Sequence, residues 1–338
     1  MLKPKRLRTA PEDRPLLSVN MITYNHEKYI VQAINSVLMQ KVDFTYEIVV
    51  GEDCSTDGTR AILLEYKEKY PQIFNLILHE KNVGIARNVQ AVDKACRGEY
   101  IAVLEGDDYW SDPHKLQIQV DEMRKYPDCH MSFHPAIEIW EDKSRKDERT
   151  RRQAEGNRIF TTHEIIKGGG GFCPTASLVL KRDVLDMLPQ WFYESPSGDF
   201  FTQILGSLHG GALYIDRPMS VYRRNAPGSW SVENKNTARQ AQFLTSLLTA
   251  FDHLDRFLEN KYHDEINVRR SNVYLKLAIA YLRQNKFKEF DHAVTQSKRL
   301  RKEKSLKIRI FFYLRKFPRF LKGMWFLQSS IKRAMRIA

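Results

Sequence analysis

The sequence predicts an α/β fold, a mostly parallel sheet flanked by helices, with an α-helical C-terminal region. Three observations carry that reading. Strand and helix signals alternate through the first half, as they do when a parallel sheet is covered on both faces. Polar and acidic clusters follow directly on the predicted strands, where packing does not require them. From about Asn236 onward only helical spacing is left.

Leu16–Thr23 is apolar enough for a buried strand, and an amphipathic helix runs from about His26 to Gln40. Tyr46–Val50 is β-branched and reads as the second strand, and the helix over Asp57–Tyr70 is stopped by Pro71. Phe74–His79 is a third strand. Ile85, Val89, Val92 and Ala95 share one helical face, and Gly98 is placed to end that helix. Tyr100–Leu104 is a fourth strand. The helix Asp112–Tyr126 opens with Pro113 in its first turn, where a missing N–H costs nothing. A fifth apolar run, Met131–Trp140, precedes the charge-rich segment Glu141–Arg158, which lacks periodicity and is expected to be a mobile loop. The glycine run Gly168–Gly171 is either an acceptor-side loop or a connector. After it the pattern gives a strand near Ala176–Leu180, a short helix ending near Leu188, a helix from Asp199 and two short strands near Leu213–Tyr222. A helical pair is expected near Val273–Ser297.

At 338 residues the chain holds one large α/β domain and a smaller appendage, and its 42% apolar and 11% aromatic content exclude a disordered chain. The net charge of +13 resembles a nucleic-acid signature until it is located. Lys298–Ala338 carries 14 Lys or Arg against the single acid Glu303, so the surplus belongs to the tail and the rest of the chain is balanced. Nucleic acid is therefore not expected as a partner. Cys54, Cys96, Cys129 and Cys173 have neither CxxC nor zinc spacing and read as reduced thiols. Met1–Arg14 is basic and polar, without the apolar core of a secretory signal. The longest uncharged stretch, Phe200–Ile215, has 16 residues where a bilayer span takes about 20. A cytoplasmic protein without a membrane span is expected.

Ligands of parallel α/β sheets bind beyond the carboxyl ends of the strands, so the residues after each strand matter most. These are Thr23-Tyr24-Asn25-His26, then Gly51–Thr59, then Glu80–Gly84, then Glu105-Gly106-Asp107-Asp108. Three carboxylates within the last four repel one another unless a cation sits among them, and Mg²⁺ or Mn²⁺ bridging a diphosphate is the natural partner. The plainer alternative is an acidic helix N-terminus, against which Ser111 and Asp112 offer a better cap. In Glu52–Thr59, capping accounts for Ser55, Thr56 and Asp57 but not for Glu52 and Asp53, one of which could accept from a nucleotide base. No Walker A lysine pattern is present and no GxGxxG follows a strand, which removes the usual anchors of ATPase and dinucleotide readings.

Ser18–Gln40 (SVNMITYNHEKYIVQAINSVLMQ), Glu47–Thr59 (EIVVGEDCSTDGT), Asn82–Asn88 (NVGIARN) and Gly98–Trp110 (GEYIAVLEGDDYW) resemble, in that order, the sequential motifs of glycosyltransferase family 2 of the bacterial cell-surface polysaccharide type. The likeness covers residues 16–113 and weakens across 114–230. It implies a GT-A fold with a Rossmann-like sheet, a nucleoside-diphosphate sugar donor and an inverting single displacement. It implies Thr23 and Glu52 or Asp53 against base and ribose, with Tyr24 and Asn25 in the same donor-binding set. Asn82, Gly84 and Arg87 would line the donor pocket. Glu105 and Asp107 would stand in place of the family's DxD carboxylates, with Asp108 beside them, around a divalent metal (Mn²⁺ or Mg²⁺). The family usually has Asp where this chain has Glu52 and Glu105, which makes Asp107 the first-choice metal ligand. The family's base is an Asp opening a helix after a small residue, and Ser197-Gly198-Asp199-Phe200 makes Asp199 the candidate; the alternative is that Asp199 caps that helix. Val221–Arg224 and Gly228–Ser231 look like the segment that folds over the diphosphate. There Arg223 or Arg224 clamps phosphate oxygens, or both are solvated. The QxxRW motif of processive synthases is absent, and with no membrane span this implies single addition.

The expected layout is a basic N-terminal tail over 1–15, a catalytic domain over 16–232, a helical region over 233–297 and a basic amphipathic tail over 298–338. Within the catalytic domain 16–113 serves nucleotide sugar and metal, and 114–232 the acceptor. In the tail Ile310, Leu314, Phe317, Leu321 and Met324 share one helical face among Lys and Arg, and Pro318 splits the segment. That pattern predicts a helix on an anionic membrane surface, at the inner face of the cytoplasmic membrane, where a glycan or lipid-linked glycan acceptor would be met. The alternative is a helix docked on the protein. Two other function classes are open on sequence. One is a catalytically silent nucleotide-sugar-binding or scaffold protein, given the two Glu-for-Asp positions. The other is a nucleotidyltransferase, which calls for a Gly-rich basic loop where Thr23-Tyr24-Asn25-His26 stands.

Overall fold

In the computed structural model, which describes residues 14–145, 149–226, 237–301 and 306–323, the first half alternates strand and helix as expected. β1 (Leu17–Thr23), β2 (Tyr46–Glu52), β3 (Phe74–Leu78) and β4 (Tyr100–Glu105) lie parallel in the order β3-β2-β1-β4. They are joined by α1 (Ile30–Leu38), α2 (Thr59–Lys69) and α3 (Ile85–Ala95). Val19, Met21, Ile48, Val50, Ala102 and Leu104 are fully buried, as are Ile30, Ile34 and Val37 of α1. Each large apolar side chain contributes roughly 1.5–3 kcal/mol on burial, so this stack holds the strands, and the side chains at their ends, in fixed relation.

The elements that follow are β5 (Tyr109–Trp110), α4 (Lys115–Lys125), β6 (Met131–Phe133), β7 (Ala136–Trp140), β8 (Arg149–Arg151), β9 (Arg158–Phe160) and α5 (Thr162–Gly168). Next come β10 (Val179–Lys181), α6 (Arg182–Asp186), α7 (Gln190–Glu194), α8 (Gly198–Gly206), β11 (Ala212–Tyr214) and β12 (Ser220–Arg224). β10 inserts antiparallel between β4 and β6, and β11 and β9 complete an eight-stranded sheet, β3-β2-β1-β4-β10-β6-β11-β9. A smaller sheet runs β5-β12-β7-β8.

Two sequence expectations change here. The apolar run Met131–Trp140 is two strands and not one: Pro135, which cannot donate to a ladder, separates β6 in the large sheet from β7 in the small one. The charge-rich segment expected to be a mobile loop is partly ordered. Arg149–Arg151 pairs antiparallel with the start of β7, and Asp216 accepts from the Arg152 side chain and, at 2.9 Å, from the Gly156 amide. All three β8 residues are exposed, so the sequence has no hydrophobic period that would mark an edge strand.

Packing divides the described residues into two compact units, one within Met1–Thr162, Gly170–Pro189 and Thr202–Gly228, the other within His163–Gly169, Gln190–Phe201 and Ser229–Ala338. The second is built on helices Thr237–Phe257, His263–Arg283, Phe287–Arg299 and Leu306–Leu314. Leu275, Ala278, Leu282, Phe290, Ala293 and Val294 form a core into which Ile308, Phe311 and Leu321 pack. The tail face expected from spacing is therefore divided. Leu321 is buried and Leu314 packs on the same core, Ile310 and Phe317 are exposed, and Met324 lies outside the described residues. A second helical piece, 318–323, begins at Pro318. Among the described residues no helix is long and apolar enough to cross a membrane. All four cysteines are free thiols, and only Cys54 is not buried.

Candidate functional site

The register of the parallel strands brings the candidate residues side by side. Thr23 lies opposite Glu52 across β1 and β2, and Ile22 opposite Glu105 across β1 and β4. The ladders run one residue further, with the Asp53 amide donating to the Thr23 carbonyl (3.1 Å) and the Gly106 amide to that of Ile22 (3.0 Å). A Cβ at Gly106 would stand 2.6 Å from Thr23 Oγ1 and 2.8 Å from His26 Nδ1. Only glycine lets the acidic turn close over the end of β1, and Asp107 emerges as the next residue.

The loops after β1 and β2 are fastened to each other. The Asn25 amide donates to Ser55 Oγ (2.9 Å), the His26 amide to Thr59 Oγ1 (2.9 Å), and the Thr56 amide to Asn25 Oδ1 (2.8 Å). Asn25 and Cys54 hold φ of 56° and 58°. Left-handed backbone costs a non-glycine residue about 1 kcal/mol or more and persists where surrounding bonds over-determine it. Burial pushes the His26 imidazole below its usual range, against the pull of Asp107 and Asp57.

Glu52 and Asp53, one of which the sequence assigns to a base N–H, are both buried with both carboxylate oxygens engaged inside the chain. Glu52 accepts from the Ser55 amide (2.5 Å) and from Arg60 Nε. The longer side chain thus closes its own loop and reaches α2, a physical account of Glu at this position. Asp53 accepts from the amides of Val83 (2.6 Å) and Gly84 (2.9 Å), while Asn82 donates to the Asp53 carbonyl (3.2 Å). Gly84, at φ 84°, takes the left-handed turn that starts α3. Asn82 and Arg87 are exposed, and Tyr24 is half-buried.

In the acidic turn the carboxylates differ. Asp108 is buried; Oδ1 accepts from the Arg223 amide (2.9 Å), and Oδ2 has no hydrogen-bond partner among the described residues. Burial and the neighbouring Asp107 push its carboxyl well above the usual range, opposed by Arg223 and Arg224. Asp107 is half-buried, and its carboxylate accepts no hydrogen bond from the described residues. The Tyr222 phenol stands near these acids and is pushed up by burial, then by Glu105 and Asp108. Among the described residues no three His, Cys, Asp or Glu side chains converge as a metal cage. Within the turn, Asp108 directs Oδ1 to the Arg223 amide. Mg²⁺-type ions at phosphate sites are usually held by one or two carboxylates plus substrate oxygens, a set that Asp107 and the unpartnered Asp108 Oδ2 fit.

Arg223 is buried, with its guanidinium bonded inside the chain. The Arg224 side chain is 38% exposed, pairs with Glu138 and packs on the Tyr222 ring. Asp199 is exposed in the first turn of α8 and belongs to the second unit. His26 stands in the cluster after the first strand without a role of its own, and Tyr29, Gln32 and Glu141 are not among the sequence candidates. Their spacing has no signature, since their partners come from distant loops.

An open, mostly parallel sheet with these loops and an acidic turn at its carboxyl ends defines the GT-A class of α/β fold. Residues 18–188 match the family model described as glycosyl transferase family 2, and the chain belongs to that family. It is 34% identical over 215 residues to an uncharacterized protein of Mycobacterium tuberculosis, covering 63% of this chain and 60% of that protein. It is 39% identical over 122 residues to the putative teichuronic acid biosynthesis glycosyltransferase TuaG of Bacillus subtilis, covering 36% of this chain and 46% of that one. The chain thus spans 60% of the mycobacterial relative's length and 46% of TuaG's. Among solved structures, S. aureus TarS 1–349 in complex with UDP-GlcNAc aligns with a TM-score of 0.64 at 18% identity, covering 91% of this chain and 87% of that chain. The mannosyltransferase PcManGT from Pyrobaculum calidifontis, in complex with GDP-Man and Mn²⁺, gives 0.51 at 15% identity, with 94% and 89% covered. At these identities the likeness carries the fold.

Proposed function

We propose that the chain is a metal-dependent, inverting and non-processive glycosyltransferase that moves one sugar from a nucleoside-diphosphate sugar to a glycan or lipid-linked glycan acceptor in cell-surface polysaccharide synthesis. One observation carries this reading. Thr23, Glu52 and the Glu105–Asp108 turn meet in register at the carboxyl ends of three adjacent strands, and the Asp107 carboxylate accepts no hydrogen bond from the described residues. The UDP-GlcNAc of the TarS complex, the GDP-Man and Mn²⁺ of the PcManGT complex and the name of TuaG support it.

In this reading the nucleoside enters the loops after β1, β2 and β3, which Glu52 and Asp53 shape through the bonds they already make. Asp107, with Asp108 or Glu105, faces the diphosphate, and Arg224 is the phosphate-facing arginine. A bound Mn²⁺ or Mg²⁺ would offset charge on the departing diphosphate. Asp199 takes the acceptor hydroxyl proton as that oxygen bonds to sugar C1 and the bond from C1 to the diphosphate oxygen breaks, which inverts the configuration in one step. Purified protein incubated with a panel of UDP-, GDP- and dTDP-sugars and Mn²⁺ or Mg²⁺ is expected to release nucleoside diphosphate slowly from one donor, and EDTA is expected to stop it. Donor binding that never leads to release, with or without acceptor glycans, would favour the silent binder. No binding to any donor would sink the donor site.

The tail is proposed to lie on an anionic membrane surface at the cytoplasmic face. Leu306, Ile310, Tyr313, Phe317 and Phe320 are exposed by 70, 43, 64, 64 and 61%. Lys307, Arg309, Lys316 and Arg319 are exposed around them, and no acid lies between Leu306 and Gly323. Apolar groups rimmed by cations suit the boundary between lipid headgroups and acyl chains. Replacing Phe317 and Phe320 together by serine should weaken co-sedimentation with phosphatidylglycerol-containing vesicles by about tenfold or more, the worth of one buried aromatic side chain. A double variant that sediments like the wild type would take the tail out of this reading.

A further inference from the structure

On sequence, either Arg223 or Arg224 clamps phosphate oxygens or both are solvated, but the surroundings of Arg223 point to another task. The residue is 5% exposed. All three guanidinium nitrogens are engaged: Nη1 donates to the Asp107 main-chain oxygen (2.6 Å), Nε to Glu141 Oε1 (2.9 Å) and Nη2 to the Gln32 side-chain oxygen. The group also packs on the rings of Tyr29 and Tyr109, 4.9 and 4.7 Å from their centroids. Its own main-chain N–H holds Asp108 Oδ1.

Resting on the donor and metal reading above, we propose that Arg223 is a positioning residue that fixes the acidic turn so that the Asp107 carboxylate is preset for a divalent cation, and that it is not a phosphate ligand. The turn needs such a tie. Asp107 and Asp108 are adjacent carboxylates beyond the end of β4, outside the parallel ladder, and mutual repulsion tends to splay them. Arg223 brings a positive charge to the Asp107 carbonyl from β12, a strand flanked on both sides by β5 and β7. On its other sides it is held by Gln32 and Tyr29 at α1 and by Glu141 just past β7. A diphosphate would have to displace one of these buried charge-assisted bonds and leave its partner unsatisfied. Arg224, with one acidic partner and a third of its side chain exposed, has no such constraint. Lysine could not replace Arg223, because an ammonium is a point charge without the planar fork that reaches three acceptors and the face that packs on two rings.

The test uses the full chain and the nucleoside diphosphate of whichever donor the wild type turns over. Mn²⁺ is titrated calorimetrically into protein saturated with that diphosphate, and the diphosphate alone is titrated in EDTA. Arg223→Lys is expected to weaken Mn²⁺ binding about 10–100-fold, the usual effect of removing a partner that orients a metal ligand. Diphosphate affinity in EDTA is expected to stay within about twofold, since no phosphate contact is lost. Gln32→Leu, which keeps the arginine and removes one outer acceptor, is expected to shift Mn²⁺ affinity in the same direction by less, and it is the variant to read if Arg223→Lys does not fold. Diphosphate affinity lost in EDTA with Mn²⁺ binding unchanged would make Arg223 a phosphate ligand and overturn the proposal. Two variants indistinguishable from the wild type would overturn it as well. A wild type that binds diphosphate but shows no Mn²⁺ binding would bring down the metal reading together with the proposal, a result recognisable before any variant is made.

Discussion

Asp107→Asn is expected to lower donor turnover about 10³-fold, equivalent to roughly 4 kcal/mol of transition-state stabilisation, while barely moving the melting temperature. The two halves of that expectation have separate grounds. The carboxylate accepts no hydrogen bond from the described residues and is half-buried, so the fold loses no internal bond with it. Asparagine fills the same volume but gives a divalent cation only a neutral oxygen. Asp108→Ala should differ in its effect on the fold. It strands the Arg223 amide in a buried place, which costs about 1–3 kcal/mol of stability. Turnover at saturating Mn²⁺, calorimetric Mn²⁺ binding and a thermal melt of each variant separate the cases. Asp107→Asn with wild-type turnover and Mn²⁺ affinity would remove Asp107 from the site.

The acidic turn could be found in sequence because like charges crowded after a strand have no packing excuse. What could not be found is which carboxylate is turned inward, since that depends on an amide more than a hundred residues away, at Arg223. Asp53 is the same case: its partners are the main-chain amides of Val83 and Gly84, which carry no side-chain signal. Glu52 looked like a departure from an expected Asp, and the structure gives the extra methylene a use in reaching Ser55 and Arg60. Hydropathy also places arginine on the surface, so a buried Arg223 bonded on every nitrogen was out of reach of pattern reading.

The fold was more legible than the site, for related reasons. Apolar runs punctuated by Gly and Pro set β1 to β4 and their helices to within a few residues. α1 starts later than its amphipathic pattern suggests, because Asn25 adopts a left-handed conformation and Thr59 takes the His26 amide. The misses cluster in the small sheet. β5 is two residues long and β8 wholly exposed, and neither length nor polarity leaves a period to detect. Pro135 was a visible marker of the break between β6 and β7, and the apolar run across it concealed the change of sheet.

Asp199→Asn is expected to reduce kcat for transfer about 10²–10⁴-fold with the donor KM little changed, and magnitude is what separates its two possible roles. The helix begins at Gly198, so Asp199 lies inside the first turn of α8, where its charge interacts with the positive end of the helix. That interaction is worth about 0.3–1 kcal/mol at an exposed position, enough to shift a melt by a few degrees and far too little to slow chemistry a hundredfold. A proton acceptor behaves differently, because the amide cannot take the hydroxyl proton. Asp199→Ser keeps a small polar first-turn residue without a base, and it should match asparagine in kcat. Rates are to be measured with acceptor present, by product formation rather than by donor hydrolysis, so that a loss reports the acceptor step. If both variants transfer sugar at near the wild-type rate and differ only in their melts, Asp199 serves the helix and the base must be sought elsewhere.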